Sequence, residues 1–400
     1  MSTLDPTTSD SAWRVFLVFL RLGLTSFGGP IAHLSYFRLE FVERRRWLTD
    51  RSYSDLVALC QLLPGPASSQ VGMALGLRRA GWAGLLAAWA GFTLPSAVLM
   101  ILFALGVAGY EGIAESGWLH GLKIVAVAVV AQAAWGMARS LCPDRLRAGM
   151  AFFAAVLTLS MPSVGGQVVV IIVSGLLGRW MLKIEPAPGQ SAGGYPVSRR
   201  TGKVALMLLV LPLALLPVWV VVSGSPLAVL LEGTYRAGAL VFGGGHVVLP
   251  LLQTAVVQSG TVTTADLLAG YGAAQAVPGP LFTFAAYLGA LANGPLGGWP
   301  GGLVLLAVIF LPAFLVLVGA LPFWESLRHR KDLQASIAGV NAGVVGILLA
   351  ALYDPMWTSA IHGRGDVAVA LLAFGLLVVV RSPPIVVVLL AAIAGWLMAW

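Results

Sequence analysis

The sequence predicts an all-α integral membrane protein composed of two related halves with inverted topology. Three observations predict this class. The 400-residue chain is 58% hydrophobic and 10% charged, whereas about a quarter of the residues of an ordinary soluble protein are charged. About 12–13 hydrophobic segments follow one another along the chain. Blocks of sequence from the first half recur in the second half in the same order, and they contain residues that break helices.

Most of these segments are long enough for a transmembrane helix, which needs about 20 apolar residues. They lie at residues 13–34, 52–77, 80–108, 119–141, 146–160, 165–183, 203–223, 233–252, 265–291, 299–322, 333–352, 366–381 and 384–400. The stretch 184–202 is rich in Pro, Gly and Ser and lacks an apolar period, which is typical of a linker. We therefore predict an N-terminal repeat at 1–183, a linker plus a connecting transmembrane helix at 184–232, and a C-terminal repeat at 233–400.

Three blocks carry the internal repeat. The sequence RLGLTSFGG at 21–29 matches RAGALVFGG at 236–244, and QLLPGP at 61–66 matches QAVPGP at 275–280. The third block, 81–95, matches 298–312 without a gap, from a Gly-Trp pair to a Leu-Pro pair. The offsets between the copies agree within three residues, so we interpret the chain as a duplication.

Charge placement predicts the orientation of the two copies. Segment 38–51 carries five arginines against three acids, and the loop 328–331 is also basic, so both are expected on the cytoplasmic side. Helix 80–108 then runs outward and its counterpart 299–322 runs inward. The two repeats are therefore inverted, an arrangement that is frequent in secondary transporters.

The same orientation makes segment 52–77 enter and leave on one side of the membrane. Pro64-Gly65-Pro66 lies at its middle, where a continuous helix would lose hydrogen bonds. We expect a re-entrant pair of half-helices, with an ordinary kinked span as the alternative. Segment 13–34 is broken in a similar way by the sequence FGGP at 27–30.

Broken helices inside a membrane predict an anion site, because the N-terminus of a half-helix presents free N–H groups and a positive partial charge. Ser68 and Ser69 follow the Pro-Gly-Pro turn and add hydroxyl donors. The alternative is that the turns only shape bends for close packing. The candidate substrate-binding residues are Arg21, Ser26, Phe27, Gly28, Gly29, Pro30, Gln61, Pro64, Gly65, Pro66, Ser68 and Ser69 in the first half, and Phe242, Gly243, Gly244, Gln275, Pro278, Gly279 and Pro280 in the second.

The ionisable residues favour an anionic cargo. Arg21 lies about nine residues inside its segment and occupies the repeat position of Arg236, which has Glu232 one turn earlier as a partner. Arg21 lacks such an acid, so it either faces an anion or extends its side chain to the membrane surface. The equivalent Gln61 and Gln275 either line the site or cap the broken turns. No acidic residue lies in the middle of an apolar segment, as a cation carrier would require.

Other function classes are excluded by missing motifs. The sequence has no HExxH, GxSxG or P-loop, so we predict neither an enzyme nor a cofactor. The two cysteines, Cys60 and Cys142, lack the spacing of metal ligands. The net charge of +8 comes from short loops between apolar segments, so nucleic acid is not an expected partner.

Together, the motifs resemble those of the chromate ion transporter family, in its two-domain long form. The resemblance rests on FLRLGLTSFGGPIAHL at 19–34, RRRWLT at 44–49, CQLLPGPASSQVGMALG at 60–76, FGGGHVVLPLL at 242–252 and QAVPGP at 275–280. One departure is Gly245, which stands where the first copy has Pro30.

The resemblance implies a multi-pass carrier of the cytoplasmic membrane that exports chromate and confers chromate resistance. We expect alternating access around the paired broken helices. A carrier or channel for sulfate or another inorganic anion is the alternative, since sulfate shares the size and charge of chromate. The expected partners are a tetrahedral oxyanion and the lipid bilayer, with a homodimer left open.

Overall fold

The computed structural model describes residues 10–109, 116–183, 195–257, 260–292, 297–327 and 330–398. All regular structure in these ranges is helical, which confirms the predicted all-α class. The helices of the first half are α1 (Ala12–Thr25), α2 (Gly29–Arg38, continued by a π turn at Leu39–Arg44), α3 (Asp50–Leu62), α4 (Ala67–Gly109), α5 (Gly117–Leu141), α6 (Arg145–Ser160) and α7 (Val164–Met181).

A long helix, α8 (Arg199–Ser223), connects the halves, and its side chains are largely exposed, as expected of a lipid-facing helix. The second half contains α9 (Pro226–Leu240), α10 (Val248–Val256), α11 (Thr264–Ala274), α12 (Phe284–Leu291), α13 (Gly298–Ala320), α14 (Trp324–Leu327), α15 (Lys331–Ala351), α16 (Thr358–Ala360), α17 (Arg364–Val378) and α18 (Pro384–Met398). Short 3-10 turns at Gly245–Val247 and Leu281–Thr283 precede α10 and α12.

Within the described ranges, six helical stretches are long and apolar enough to cross a bilayer. Fewer helices span than the sequence has apolar segments, partly because four of the segments are each divided into two half-length helices. The segment 13–34 is divided into α1 and α2, and 52–77 into α3 and the start of α4. The equivalent segments 233–252 and 265–291 are divided in the same way. The predicted breaks are confirmed in both repeats.

The half-helices of the first repeat form hairpins that return to one end of the molecule. Phe19 of α1 contacts Phe37 of α2, with ring centroids 5.7 Å apart, so these two helices pack antiparallel. Arg79 pairs with Asp10, which precedes α1, at 2.8 Å and stacks on Trp47. Residue 10, the segment 38–51 and residue 79 therefore lie at the same end, which we call the basic end. Segment 52–77 starts and finishes there, so it is re-entrant as predicted.

Helix α4 consists of two antiparallel parts, which we call α4a (67–79) and α4b (82–109). The backbone leaves helical geometry at Ala80 and Gly81, and Gly81 has a φ of +59°. Gly76 and Gly84 then lie in direct contact, although eight residues of straight helix would separate them by about 12 Å. The chain therefore reverses at residue 80, and α4b crosses the molecule away from the basic end.

Equivalent helices of the two repeats run in opposite directions. Trp89 of α4b contacts Phe310 and Phe314 of α13, whereas Ile101, farther along α4b, lies beside Gly302, nearer the start of α13. The two equivalent helices are therefore antiparallel, which confirms the predicted inversion.

The two repeats are also intertwined, which the sequence did not indicate. Helices α6 and α7 pack on α15 of the second repeat, and α17 and α18 pack on α5 of the first. Close glycine contacts join these helices, Gly178 with Gly339 and Gly121 with Gly395. Each repeat thus completes the core of the other.

Candidate functional site

The four helix breaks meet pairwise, with each Pro-Gly-Pro turn against the Phe-Gly-Gly turn of the other repeat. The backbone N–H of Gly65 donates to the carbonyl oxygen of Val241 at 2.7 Å. The N–H of Gly279 donates to the carbonyl oxygen of Ser26 at 2.9 Å. Val241 and Ser26 occupy equivalent positions directly before Phe-Gly-Gly. The two hydrogen bonds are therefore related by the pseudo-symmetry of the fold, and we call this region the crossing.

Glycine is required in both Pro-Gly-Pro turns. Gly65 and Gly279 have φ values of +117° and +98°, which other L residues rarely adopt. A Cβ atom on Gly65 would lie 3.0 Å from the Cβ of Ala313, and one on Gly279 would lie 2.9 Å from Oγ of Ser96. Both neighbours directly follow the proline inside α13 or α4b. The turn of one repeat is thus packed against the long helix of the other.

The Phe-Gly-Gly sequences end the first half-helices for a related reason. Gly28 and Gly29 have φ values of +96° and +78°, and Gly243 and Gly244 have values of +74° and +147°. Two successive residues with positive φ cannot continue an α-helix, so α1 and α9 end before them. At Gly245 the second helix restarts as a 3-10 turn, whereas the first copy has Pro30 in the first turn of α2. A Cβ atom at Gly245 would lie 3.9 Å from Pro30, its own repeat counterpart.

The two repeats differ in the polarity of their side chains at the crossing. The first repeat places buried polar residues on α2 and α4 and before the break; they are Ser26, His33, Ser68, Ser69, Gln70, Thr93 and Ser96. The equivalent residues of the second repeat are Val241, Val248, Phe282, Thr283, Phe284, Phe310 and Ala313. Only Thr283 among these has a polar side chain, and its hydroxyl donates to the carbonyl of Pro280 at 2.9 Å. A symmetric backbone frame thus holds an asymmetric set of polar groups.

Several of these buried polar atoms have no hydrogen-bond partner in the part of the chain that the structure describes. They are Oγ of Ser26, Nε2 of His33, Oγ of Ser69, Oε1 of Gln70 and Oγ1 of Thr93. Buried polar groups are ordinarily paired, so five unpaired ones on elements that meet at the crossing indicate a place for a polar ligand or water.

The other atoms of this group hold the side chains in place. Nδ1 of His33 lies 3.4 Å from Oγ of Ser68, and the Gln70 amide Nε2 donates to the carbonyl of Pro64 at 2.8 Å. The hydroxyls, and the imidazole when Nε2 carries the proton, can donate to an oxyanion. The first turn of α4a adds the positive end of a helix dipole directly after Pro66.

The structure distributes the predicted site residues over three environments. Buried at the crossing are Ser26, Gly65, Pro66, Ser68, Ser69, Pro278 and Pro280. Half-buried there are Phe27, Gly29, Pro30, Pro64, Phe242, Gly243, Gly244, Gln275 and Gly279. Exposed are Arg21, Gly28 and Gln61. The equivalent pair Gln61 and Gln275 is therefore split between two environments.

The two equivalent arginines differ in the same way. Arg236 is buried and forms two hydrogen bonds with Glu232, at 2.6 and 3.1 Å, which confirms the partner expected from its spacing. Arg21 is exposed on α1 and has no ion pair with any described residue. The structure thus places Arg21 outside the buried polar group.

Four members of that group were not among the predicted site residues, namely His33, Gln70, Thr93 and Ser96. A signal was present for Thr93 and Ser96, because the aligned residues of the second copy are Phe310 and Ala313. A polar residue that replaces an apolar one between two copies of the same helix indicates a specialised position.

Comparisons with known proteins agree with this architecture. The chain is 28% identical over 400 aligned residues to a chromate transport protein of Pseudomonas aeruginosa, covering 96% of this chain and 92% of that protein. It is 26% identical over 350 residues to a chromate transport protein of Cupriavidus metallidurans, covering 85% and 81%. An uncharacterized transporter of Methanocaldococcus jannaschii is 24% identical over 349 residues, covering 87% and 85%. No solved structure matches the chain significantly.

The sequence profile of one family, described as chromate transporter, matches residues 13–179 and again 228–396. The two matched stretches contain the four helix breaks and every residue of the buried polar group. Proteins of this kind are transporters and not enzymes. The chain is a multi-pass membrane protein and belongs to the chromate transporter family.

Proposed function

We propose that this protein is a secondary carrier that exports chromate, or a tetrahedral oxyanion of the same charge, and so confers chromate resistance. The observation that carries the proposal is the group of five unpaired buried polar atoms beside the crossing. Four of these groups, all except the acceptor Oε1 of Gln70, can donate to an oxyanion the hydrogen bonds that the folded chain leaves unmade. The names of the relatives in Pseudomonas aeruginosa and Cupriavidus metallidurans support chromate as the anion.

The proposed site comprises the predicted residues of the four breaks together with the missed polar residues of α2 and α4. Ser26, Ser69 and His33 donate to the anion, and the glycine turns allow backbone to approach it. The first-half residues supply most of the donors, because their second-half counterparts are apolar except for Thr283, whose hydroxyl already donates to the carbonyl of Pro280. Arg21 is retained as a candidate that acts from the exposed face of α1.

The proposed mechanism is alternating access around the crossing. Hairpins from opposite ends of the molecule meet there, and each of the two pairs of breaks is joined by a single backbone hydrogen bond. Rocking one repeat against the other can open the site toward one end and close it toward the other, as in other inverted-repeat carriers. The alternative is a carrier or channel for sulfate or another inorganic anion.

The proposed location is the cytoplasmic membrane, with the basic end in the cytoplasm. The arginines of 38–51 support this orientation. Export is then transport from the basic end to the opposite end. Assembly into a homodimer stays a prediction.

The test is uptake of radiolabelled chromate into everted vesicles from cells that express the protein, with vesicles from cells lacking it as the control. We expect saturable uptake, and reduced chromate accumulation in the intact cells. A tenfold excess of sulfate distinguishes the anions: full inhibition together with saturable sulfate uptake would assign the carrier to sulfate. Flux that does not saturate and shows no exchange would assign a channel.

A further inference from the structure

A second candidate anion site lies between the crossing and the basic end. A cavity of about 530 Å³ is lined by the break residue Gly28, by Trp135 and Arg139 on α5, and by Arg381 and Ser382 after α17. It therefore extends from the exposed side of the first Phe-Gly-Gly turn to the ends of two helices. Neither Arg139 nor Arg381 was among the site residues predicted from the sequence.

Arg139 lies at the basic end, whereas Arg381 follows a 15-residue helix that starts level with α5 and is too short to reach that end. Helix α4b leaves this end, α5 returns to it, and Arg139 lies in the last turn of α5. Arg381 follows α17 with a φ of +58°, and α17 starts at the opposite end beside His120, where Asp366 accepts from the imidazole at 2.8 Å. The two side chains thus come from different repeats and line one cavity.

The charges in this cavity are all of one sign. None of its described lining residues is acidic, and neither arginine forms an ion pair with a described residue. A smaller cavity at the opposite end, near the ends of α10 and α15, has the reverse character: its lining includes Asp354 and no arginine or lysine among the described residues. The lining of the first cavity thus favours an anion, whereas that of the second does not.

We propose that the cavity is a vestibule in which Arg139 and Arg381 bind a divalent tetrahedral oxyanion before it reaches the crossing. Gly28 forms its inner wall, and the unpaired Oγ of Ser26 lies two residues before Gly28. Two exposed cations without acidic neighbours raise the local concentration of a dianion, and they release it readily because water screens them. The inference rests on the proposed function, since it names the residues that supply anion to the same site.

A phosphate group of a lipid has the same chemistry as a free oxyanion, so either could occupy the cavity. The experiment therefore uses the full chain reconstituted in two bilayers, one of phosphatidylcholine alone and one containing phosphatidylglycerol. The variants are Arg139→Gln, Arg381→Gln and the double variant. Arg145→Gln is the matched control, because Arg145 is exposed at the same end but does not line the cavity.

We expect the double variant to raise the KM for chromate supplied at the basic end about tenfold, with Vmax changed less than twofold. The difference should shrink at high ionic strength, and the KM for chromate supplied at the opposite end should be unchanged. An unchanged KM in the double variant, or an equal rise in Arg145→Gln, would overturn the inference. A rise that occurs only with phosphatidylglycerol would also overturn it, because a lipid headgroup would then be the occupant.

Equilibrium binding of radiolabelled chromate to the purified protein separates this inference from the proposed function. If the wild type binds chromate tenfold more tightly than the double variant but does not transport it, the vestibule stands and the carrier proposal fails. If the wild type transports chromate and the double variant matches it in both binding and KM, the carrier proposal stands and the vestibule is disproved.

Discussion

At the residue scale, two glycines hold the crossing together. Gly65 and Gly279 combine a positive φ, a hydrogen-bond donor and close contact with a helix of the other repeat. Flanking prolines fix the chain on either side and remove competing N–H donors. Each glycine N–H is therefore free to bond across the repeats.

We predict that Gly65→Ala lowers the free energy of unfolding by about 2 kcal/mol or more, because alanine is strained at φ +117° and its methyl group crowds Ala313. Thermal unfolding of the purified protein in detergent measures the effect. The control is Gly149→Ala in α6, where the added methyl group meets open space and should stabilise the helix by up to about 1 kcal/mol. Equal stability of the two variants would contradict the account.

Because the hydroxyl of Ser69 has no partner among the described residues, its removal should weaken transport without weakening stability. Ser69→Ala removes a buried group without a partner, so stability should stay constant or rise. Loss of a hydrogen bond to a charged ligand should raise the KM for chromate about tenfold. The control is the repeat counterpart Thr283→Ala, whose hydroxyl is already bonded. That variant should lose some stability and keep its KM, and the reverse pattern would refute the proposed site.

The sequence predicts this site only in part. Ser68 and Ser69 come two and three residues after Pro66, so their place in the sequence is enough to identify them. His33 and Thr93 lie on other helices and reach the same region only through the hairpins, whose packing no short motif encodes. The sequence left two alternatives open for Arg21, because the depth of a residue along a segment does not tell which face of the helix it occupies.

At the element scale, breaks and packing differ in how well sequence predicts them. Proline and paired glycines interrupt a helix by steric and hydrogen-bonding rules that hold in any context, so all four breaks were predictable. The exchange of α7 and α18 between the repeats was not. It depends on small residues that allow helices to approach closely, and such residues are frequent throughout this chain, which has 48 glycines.

The contact between α7 and α15 can be tested at its closest point. Gly339→Ala would place a methyl group against the backbone of Ser174 and Gly178, so we expect a loss of about 3 kcal/mol in unfolding free energy. Gly375→Ala in α17 is the control, because that position is open. Thermal unfolding in detergent measures both variants. A loss no larger than that of the control would mean that α7 does not pack on α15.

At the scale of the whole molecule, the two ends of the helix bundle differ chemically. Residues 10, 38–51 and 79 define the basic end, and the ends of α5 and α7 lie there as well. The start of α17, with His362 and Asp366, lies at the opposite end. The arginine-rich loops predicted which end is cytoplasmic. Such loops tend to stay on the cytoplasmic side of the membrane, and this tendency does not depend on how the helices pack.

Thiol labelling tests the two ends directly. An impermeant maleimide should label His362→Cys in intact cells and Arg145→Cys only in everted vesicles. Background should be low, because Cys60 is fully buried and burial raises the pKa of the Cys142 thiol to about 11, which leaves little thiolate at neutral pH. A Cys142→Ser background controls for the remainder. Labelling of both positions from the same side would contradict the topology.

The central claim is that a divalent oxyanion binds at the crossing of broken helices from two inverted repeats. Chromium scatters X-rays anomalously, so an anomalous difference map of crystals of the full-length protein at saturating chromate tests the claim most directly. We predict a chromium peak placed so that the chromate oxygens accept hydrogen bonds from Ser69 Oγ and His33 Nε2. A single strong peak elsewhere, with the crossing empty, would contradict it.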